Sequence, residues 1–112
     1  MALKKKIKQK NGVELSYHRV AMIKIDTNQQ ITVLIESYLD ESGRQYEKDY
    51  AAGLIKDEPE WPYTEAEYIN FDYDENHEMF QGNVIKNIYK WLKKQEKFKG
   101  AEMTTFLAPA SM

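Results

Sequence analysis

The chain has 112 residues, a length that suits one domain with one modest core. At 42% hydrophobic and 30% charged residues it does not have the composition of a disordered chain, which pairs low hydrophobicity with high net charge. It contains no cysteine, which removes disulfides, thiolate metal sites and a cysteine nucleophile, and its net charge of −2 argues against a domain-wide basic surface for nucleic acid.

In chain order, residues 4–10 read as an edge strand or a loose arm, with Leu3, Lys5, Ile7 and Gln9 on one side of the alternation. Lysines along such an edge discourage unwanted strand pairing. The basic start is not followed by a long apolar stretch, so it does not read as a signal peptide. Asn11-Gly12 is a strong hairpin signal. Residues 13–25 alternate, with Val13, Leu15, Tyr17, Arg19, Ala21, Ile23 and Ile25 on one face and His18, Val20 and Met22 on the other. After a polar turn at residues 26–29, residues 30–39 form the clearest strand. Ile31, Val33, Ile35 and Leu39 share a face, and Leu34 and Tyr38 give the second face some cover.

Asp40-Glu41-Ser42-Gly43 reads as another turn. Residues 44–50 fit a return strand, and they also fit a helix, because Tyr46, Tyr50 and Leu54 have i, i+4 spacing. Residues 51–63 hold Gly53, Pro59 and Pro62 around Trp61 and read as an ordered loop with one aromatic anchor. Residues 67–73 alternate as a strand. The last element is expected to be a helix of about five turns, capped at Asn76, whose apolar stripe is Val84, Ile85, Ile88, Trp91 and Leu92. Gly100 is a stop signal. The expected architecture is α+β: an antiparallel β-meander of four to five strands with one C-terminal helix packed on it. Residues 1–100 form the domain and residues 101–112 a flexible tail.

Charge is segregated along the chain. Residues 1–12 carry five lysines and no acid; residues 36–78 carry fourteen acids against Arg44, Lys48 and Lys56; residues 79–99 carry six lysines against Glu96. Opposite potentials of this kind steer head-to-tail assembly, and they are equally the pattern of solvated faces that balance within one fold. The aromatic load, eight Tyr, four Phe and two Trp, serves either a core or an interface. The candidate interface residues are Lys4, Lys6, Lys8, Tyr38, Tyr46, Tyr50, Trp61 and Tyr63.

No residue is assigned to catalysis, a cofactor or a metal. Residues 72–78 resemble a cation loop, but the sixth and twelfth places are His77 and Asn83 where Gly and Glu are needed. A polar connection that starts the helix accounts for them more simply. His18 sits in a strand with no nucleophile motif around Ser16 or Ser37, and a hydrogen-bonded strand histidine is the simpler reading. The five glycines are isolated, so no phosphate-binding loop is present. No apolar run approaches the roughly 20 residues of a membrane helix.

The stretch Asn11-Gly-Val-Glu-Leu-Ser-Tyr-His-Arg-Val20 resembles a pattern in small proteins of phages and prophages of Gram-positive bacteria. The resemblance extends through Asp26-Thr-Asn-Gln-Gln, Ser37-Tyr38-Leu39, Glu47-Lys48-Asp49-Tyr50 and Tyr89-Lys-Trp91-Leu92, covering most of residues 3–99. It implies a non-enzymatic virion structural protein, a tail or baseplate component assembled in the host cytoplasm. Its partners would be other tail proteins and further copies of itself. It carries over no functional residue. The alternatives are a monomeric inhibitor or adaptor of a host protein and a weak single-stranded nucleic-acid binder.

Overall fold

The computed structural model describes residues 1–10, 12–56 and 65–104. Five strands, β1 (Ala2–Lys8), β2 (Glu14–Asp26), β3 (Gln30–Tyr38), β4 (Glu65–Asp72) and β5 (Glu102–Thr104), form one sheet in the order β4-β3-β2-β1-β5. Every neighbouring pair is antiparallel. Two helices, α1 (Glu41–Ala51) and α2 (Val84–Leu92), complete the α+β arrangement. The β2–β3 hairpin closes through a Gln29 N–H to Asp26 carbonyl bond of 3.0 Å, with Asn28 at φ 66°. Asparagine is among the few residues with a side chain that tolerate that left-handed conformation.

The principal core lies between one sheet face and α2. Ile31, Val33 and Ile35 of β3 meet Met79, Ile88, Leu92 and Phe98 there, all of them buried. The alternation in β3 that put Ile31, Val33 and Ile35 on a single face is the pattern a half-buried strand requires. In β2 the same alternation is interrupted. The register with β3 shifts between Val20 and Met22, so Ala21 is an extra residue. His18 and Val20 precede this bulge on the core side and Ile23 follows it there, which is why one uninterrupted alternating face does not describe the strand.

Four expectations are corrected. First, β1 is not an edge strand or an arm: β2 flanks it on one side and β5 pairs with Ala2, Leu3 and Lys4 on the other. Second, the fold does not stop at residue 100, because Ala101 is buried and Glu102–Thr104 is strand. Third, the described residues hold two helices. Asp40 is not a turn residue but the N-cap of α1, its carboxylate accepting from the Ser42 N–H at 2.9 Å, and this favours the helical reading of residues 44–50. Fourth, the closing helix is short. Gly82, at φ 121°, separates a single 3₁₀ turn at Glu78–Phe80 from α2, whose N-cap is Asn83, accepting from the Lys86 N–H at 3.0 Å. Asn76 instead belongs to a turn in which its N–H donates to Asp74.

Aromatic side chains tie β4 to α2. Phe71 lies 4.6 Å from the Trp91 ring and 5.0 Å from His77, centroid to centroid. On the opposite sheet face a smaller cluster of Ala2, Tyr17 and Tyr38 is buried. The Tyr17 and Tyr38 rings meet edge-on at 5.9 Å. Near this cluster α1 is anchored to the sheet by the Tyr38 hydroxyl, which donates to Glu47 at 2.9 Å.

Candidate functional site

The predicted interface residues fall in different places. Lys4, Lys6 and Lys8 project from the exposed side of β1. Lys4 and Lys6 line a shallow groove with Lys5, Ser16, Tyr17, Asp40 and Glu41, where Lys4 pairs with Glu41 at 3.5 Å. Tyr46 and Tyr50 are exposed on α1. Tyr38 is 1% exposed, so it serves the core rather than a surface; its strand face is covered at the end where α1 lies. Trp61 and Tyr63 lie outside the described residues.

His18 does stand beside a hydroxyl. Its Nδ1 is 2.8 Å from Ser37 Oγ and its Nε2 is 2.8 Å from the Lys5 carbonyl. A carbonyl can only accept, so Nε2 carries the proton and Nδ1 accepts from the serine. That is the bond a serine nucleophile needs. Here, however, His18 is 1% and Ser37 7% exposed, and neither lines either of the cavities described here. The pair is a satisfied polar contact across β2 and β3, packed under the Phe98 ring 5.4 Å away. Burial, foremost, lowers the histidine pKa. The bond to Lys5 opposes the shift and the charge on Lys97 adds to it.

Among the described residues no group of three or more His, Asp or Glu is placed to hold a metal ion. In the acidic connection, Asp74 accepts from the Asn76 N–H and His77 Nδ1 accepts from the Met79 N–H at 3.0 Å. These residues build the turn and cap the 3₁₀ segment.

The most organised polar site was not legible in the sequence. Beyond His18, β1 no longer pairs with β2, and the edge of β2 would present an unsatisfied Val20 N–H. The Tyr89 hydroxyl of α2 accepts from it at 2.7 Å and donates to the Met1 carbonyl at 2.7 Å. Beside this junction is a cavity of about 250 Å³ lined by Met1, Tyr17, Arg19, Val20, Arg44, Lys48, Ile85 and Tyr89. Arg44 and Lys48 are four apart on α1, as Ile85 and Tyr89 are on α2, so each pair shares one helix face.

Behind the cavity the arginines are braced. Arg19 pairs with Glu36 at 3.4 Å and Glu47 at 3.8 Å, and Arg44 pairs with Glu47. Burial opposes the Arg19 charge, but its bond to Tyr38 and the two carboxylates outweigh this and raise its pKa. Burial likewise raises the Glu36 pKa, with Arg19 opposing, and pushes Tyr17 up to about 12. The amino group at Met1 is held below its usual range by burial first and then by Lys48, Arg19 and Arg44, as a cation surrounded by cations must be. The i, i+4 spacing of Arg44 and Lys48 was a usable signal once residues 44–50 are read as helix. Arg19 and Tyr89 gave none.

Comparison with protein-family models, curated proteins and solved structures finds no match for this chain.

Proposed function

We propose that this chain is a non-enzymatic assembly protein, a tail or baseplate component of a phage virion that works through protein–protein contact. The resemblance of residues 11–20, 26–30, 37–39, 47–50 and 89–92 to small proteins of phages and prophages supports that origin. One structural observation supports the mode of action: part of the second sheet face is apolar and open. Register aligns Met22 with Leu34 and Leu34 with Tyr68, giving a row across β2, β3 and β4 in which Met22 is 40% and Tyr68 61% exposed. It ends at β4, which among the described strands pairs only with β3 and carries Glu65, Glu67 and Asp72. An apolar row running out to an acidic strand edge is suited to a partner that offers an extended basic segment.

Light scattering across 0.1–1 M salt, on the order of a tenfold range of ionic strength, tests assembly. Oligomers, or a complex with a tail protein, that weaken on Tyr68→Lys are expected. Mass spectrometry of purified particles tests the virion assignment. A chain that stays monomeric throughout, retains no tail protein and is missing from particles would refute the reading. If such a monomer captured a single host protein, the inhibitor alternative would take its place.

A further inference from the structure

We propose that His18 is an acid-released latch: while its ring is neutral it holds residues 96–104 against the sheet, and protonation frees that segment and uncovers the outer flank of β1. This is independent of the assembly reading. The geometry starts from an irregularity in β1. Lys4 faces Tyr17 and Ile7 faces Leu15, so β1 advances three residues where β2 advances two, and one residue of β1 is extra. At this bulge the Lys5 carbonyl accepts from His18 Nε2, while Nδ1 accepts from Ser37 of β3. Phe98 lies edge-on to the ring at the end of the 3₁₀ turn Glu96–Phe98. From there the chain passes through the buried Ala101 into β5, which pairs with Ala2, Leu3 and Lys4. One imidazole therefore sits where β1, β2, β3 and the turn that leads into β5 meet.

A second ring proton must go to Nδ1, the nitrogen that now accepts. Ser37 Oγ then has to accept in turn, and its own hydrogen loses the imidazole as a partner. The charged groups around the ring are Lys97 of the turn and Glu67 of β4, which are paired with each other. The Lys5 ammonium of β1 is held at the Lys97 carbonyl at 2.9 Å. Glu67 favours the imidazolium, but burial first, with Lys97 adding to it, keeps the ring below its ordinary pKa. Solvating the charge means moving an element that buries it. β2 and β3 are each paired on both sides, whereas Phe98 is carried by a three-residue turn that leads to a three-residue strand. The segment from the turn to β5 is the one that gives way. Because the folded-state pKa is depressed, the latch is fully closed above about pH 6.5 and releases as the pH falls below it.

The test is native-state amide exchange of the full chain at pH 7.0 and 5.5, read as protection factors so that the intrinsic pH dependence of exchange is removed. Protection of residues 98–104 and of their partners Ala2–Lys4 is expected to fall by up to about eightfold, the limit for a ring that charges only when the segment opens. These amides should open more readily than those of residues 31–35, and α1 should keep its protection. His18→Gln should abolish the pH dependence of residues 98–104. If that variant does not fold, the ring ¹⁵N shifts of the unaltered chain decide instead, because His18 must take up its proton over the same pH range as protection is lost. Four results would overturn the proposal. They are protection of residues 98–104 that ignores pH, a loss that survives His18→Gln, opening of these residues only together with residues 31–35, and a ring that charges while their protection is unchanged.

Discussion

His18 and Ser37 are held to each other and to the Lys5 carbonyl inside the core, so protonating the imidazole costs the fold a bond as well as solvation. The folded-state pKa lies below the unfolded one, near 6.5. The unfolded chain then binds more protons as the medium is acidified, so stability is complete above about 6.5 and declines below it. Between pH 7.0 and 5.5 the decline reaches at most about 1.3 kcal/mol, the limit for a group that stays neutral in the fold. Urea unfolding at the two pH values reads it directly, and His18→Gln should flatten that part of the slope. An unchanged wild-type midpoint would mean that the ring titrates freely.

Tyr89 joins α2 to the sheet through a single hydroxyl. A phenol at an i+4 position beside Ile85 looks like ordinary helix packing, yet its hydroxyl completes the backbone hydrogen bonding of β2 where β1 begins. Nothing in the linear sequence links residues 20 and 89. The same holds for Arg19, whose charge in a strand read as an amphipathic alternation suggests solvent, whereas the structure braces it between Glu36 and Glu47.

Among the elements, β3 was the most legible, because a half-buried strand must alternate and its β-branched residues do so without interruption. α1 was ambiguous for a physical reason. Asp, Glu, Ser and Gly at residues 40–43 are turn formers and also the residues that begin helices, since both uses place a side-chain oxygen near a backbone N–H. Here Asp40 takes the capping role, and its pKa is lowered by the bonds to Ser42. Because α1 buries no residue of its own, its cap carries a large share of its stability. Asp40→Ala is expected to destabilise by about 1 kcal/mol. Amide exchange should quicken in residues 41–51 well before the sheet, and protection equal to wild type there would contradict the assignment. The closing helix is shorter than expected because a start at Asn76 would run it through Gly82, and a backbone at φ 121° cannot belong to a right-handed helix.

At the scale of the molecule, the α+β class and the antiparallel sheet follow from patterns within short windows, whereas the strand order does not. β5 is three residues long and is recognisable only by what it lies beside. Its contribution is measurable by comparing chains ending after Thr104 and after Gly100. The shorter should lose about 2 kcal/mol or more, through the buried Ala101, the Met103 contact with the core and the exposed outer edge of β1. Equal denaturation midpoints would return β1 to the role of a true edge.

The pairing of Leu3 with Met103 also sets a schedule. During synthesis β1 leaves the ribosome well before β5 and waits, with one flank bare, for β2, β3, α1, β4 and α2 to follow it. The hairpin of β2 and β3 can form early from neighbours in sequence, but the sheet is finished only when Thr104 clears the exit tunnel. Until then the lysines of β1 keep its bare flank from pairing with other nascent chains.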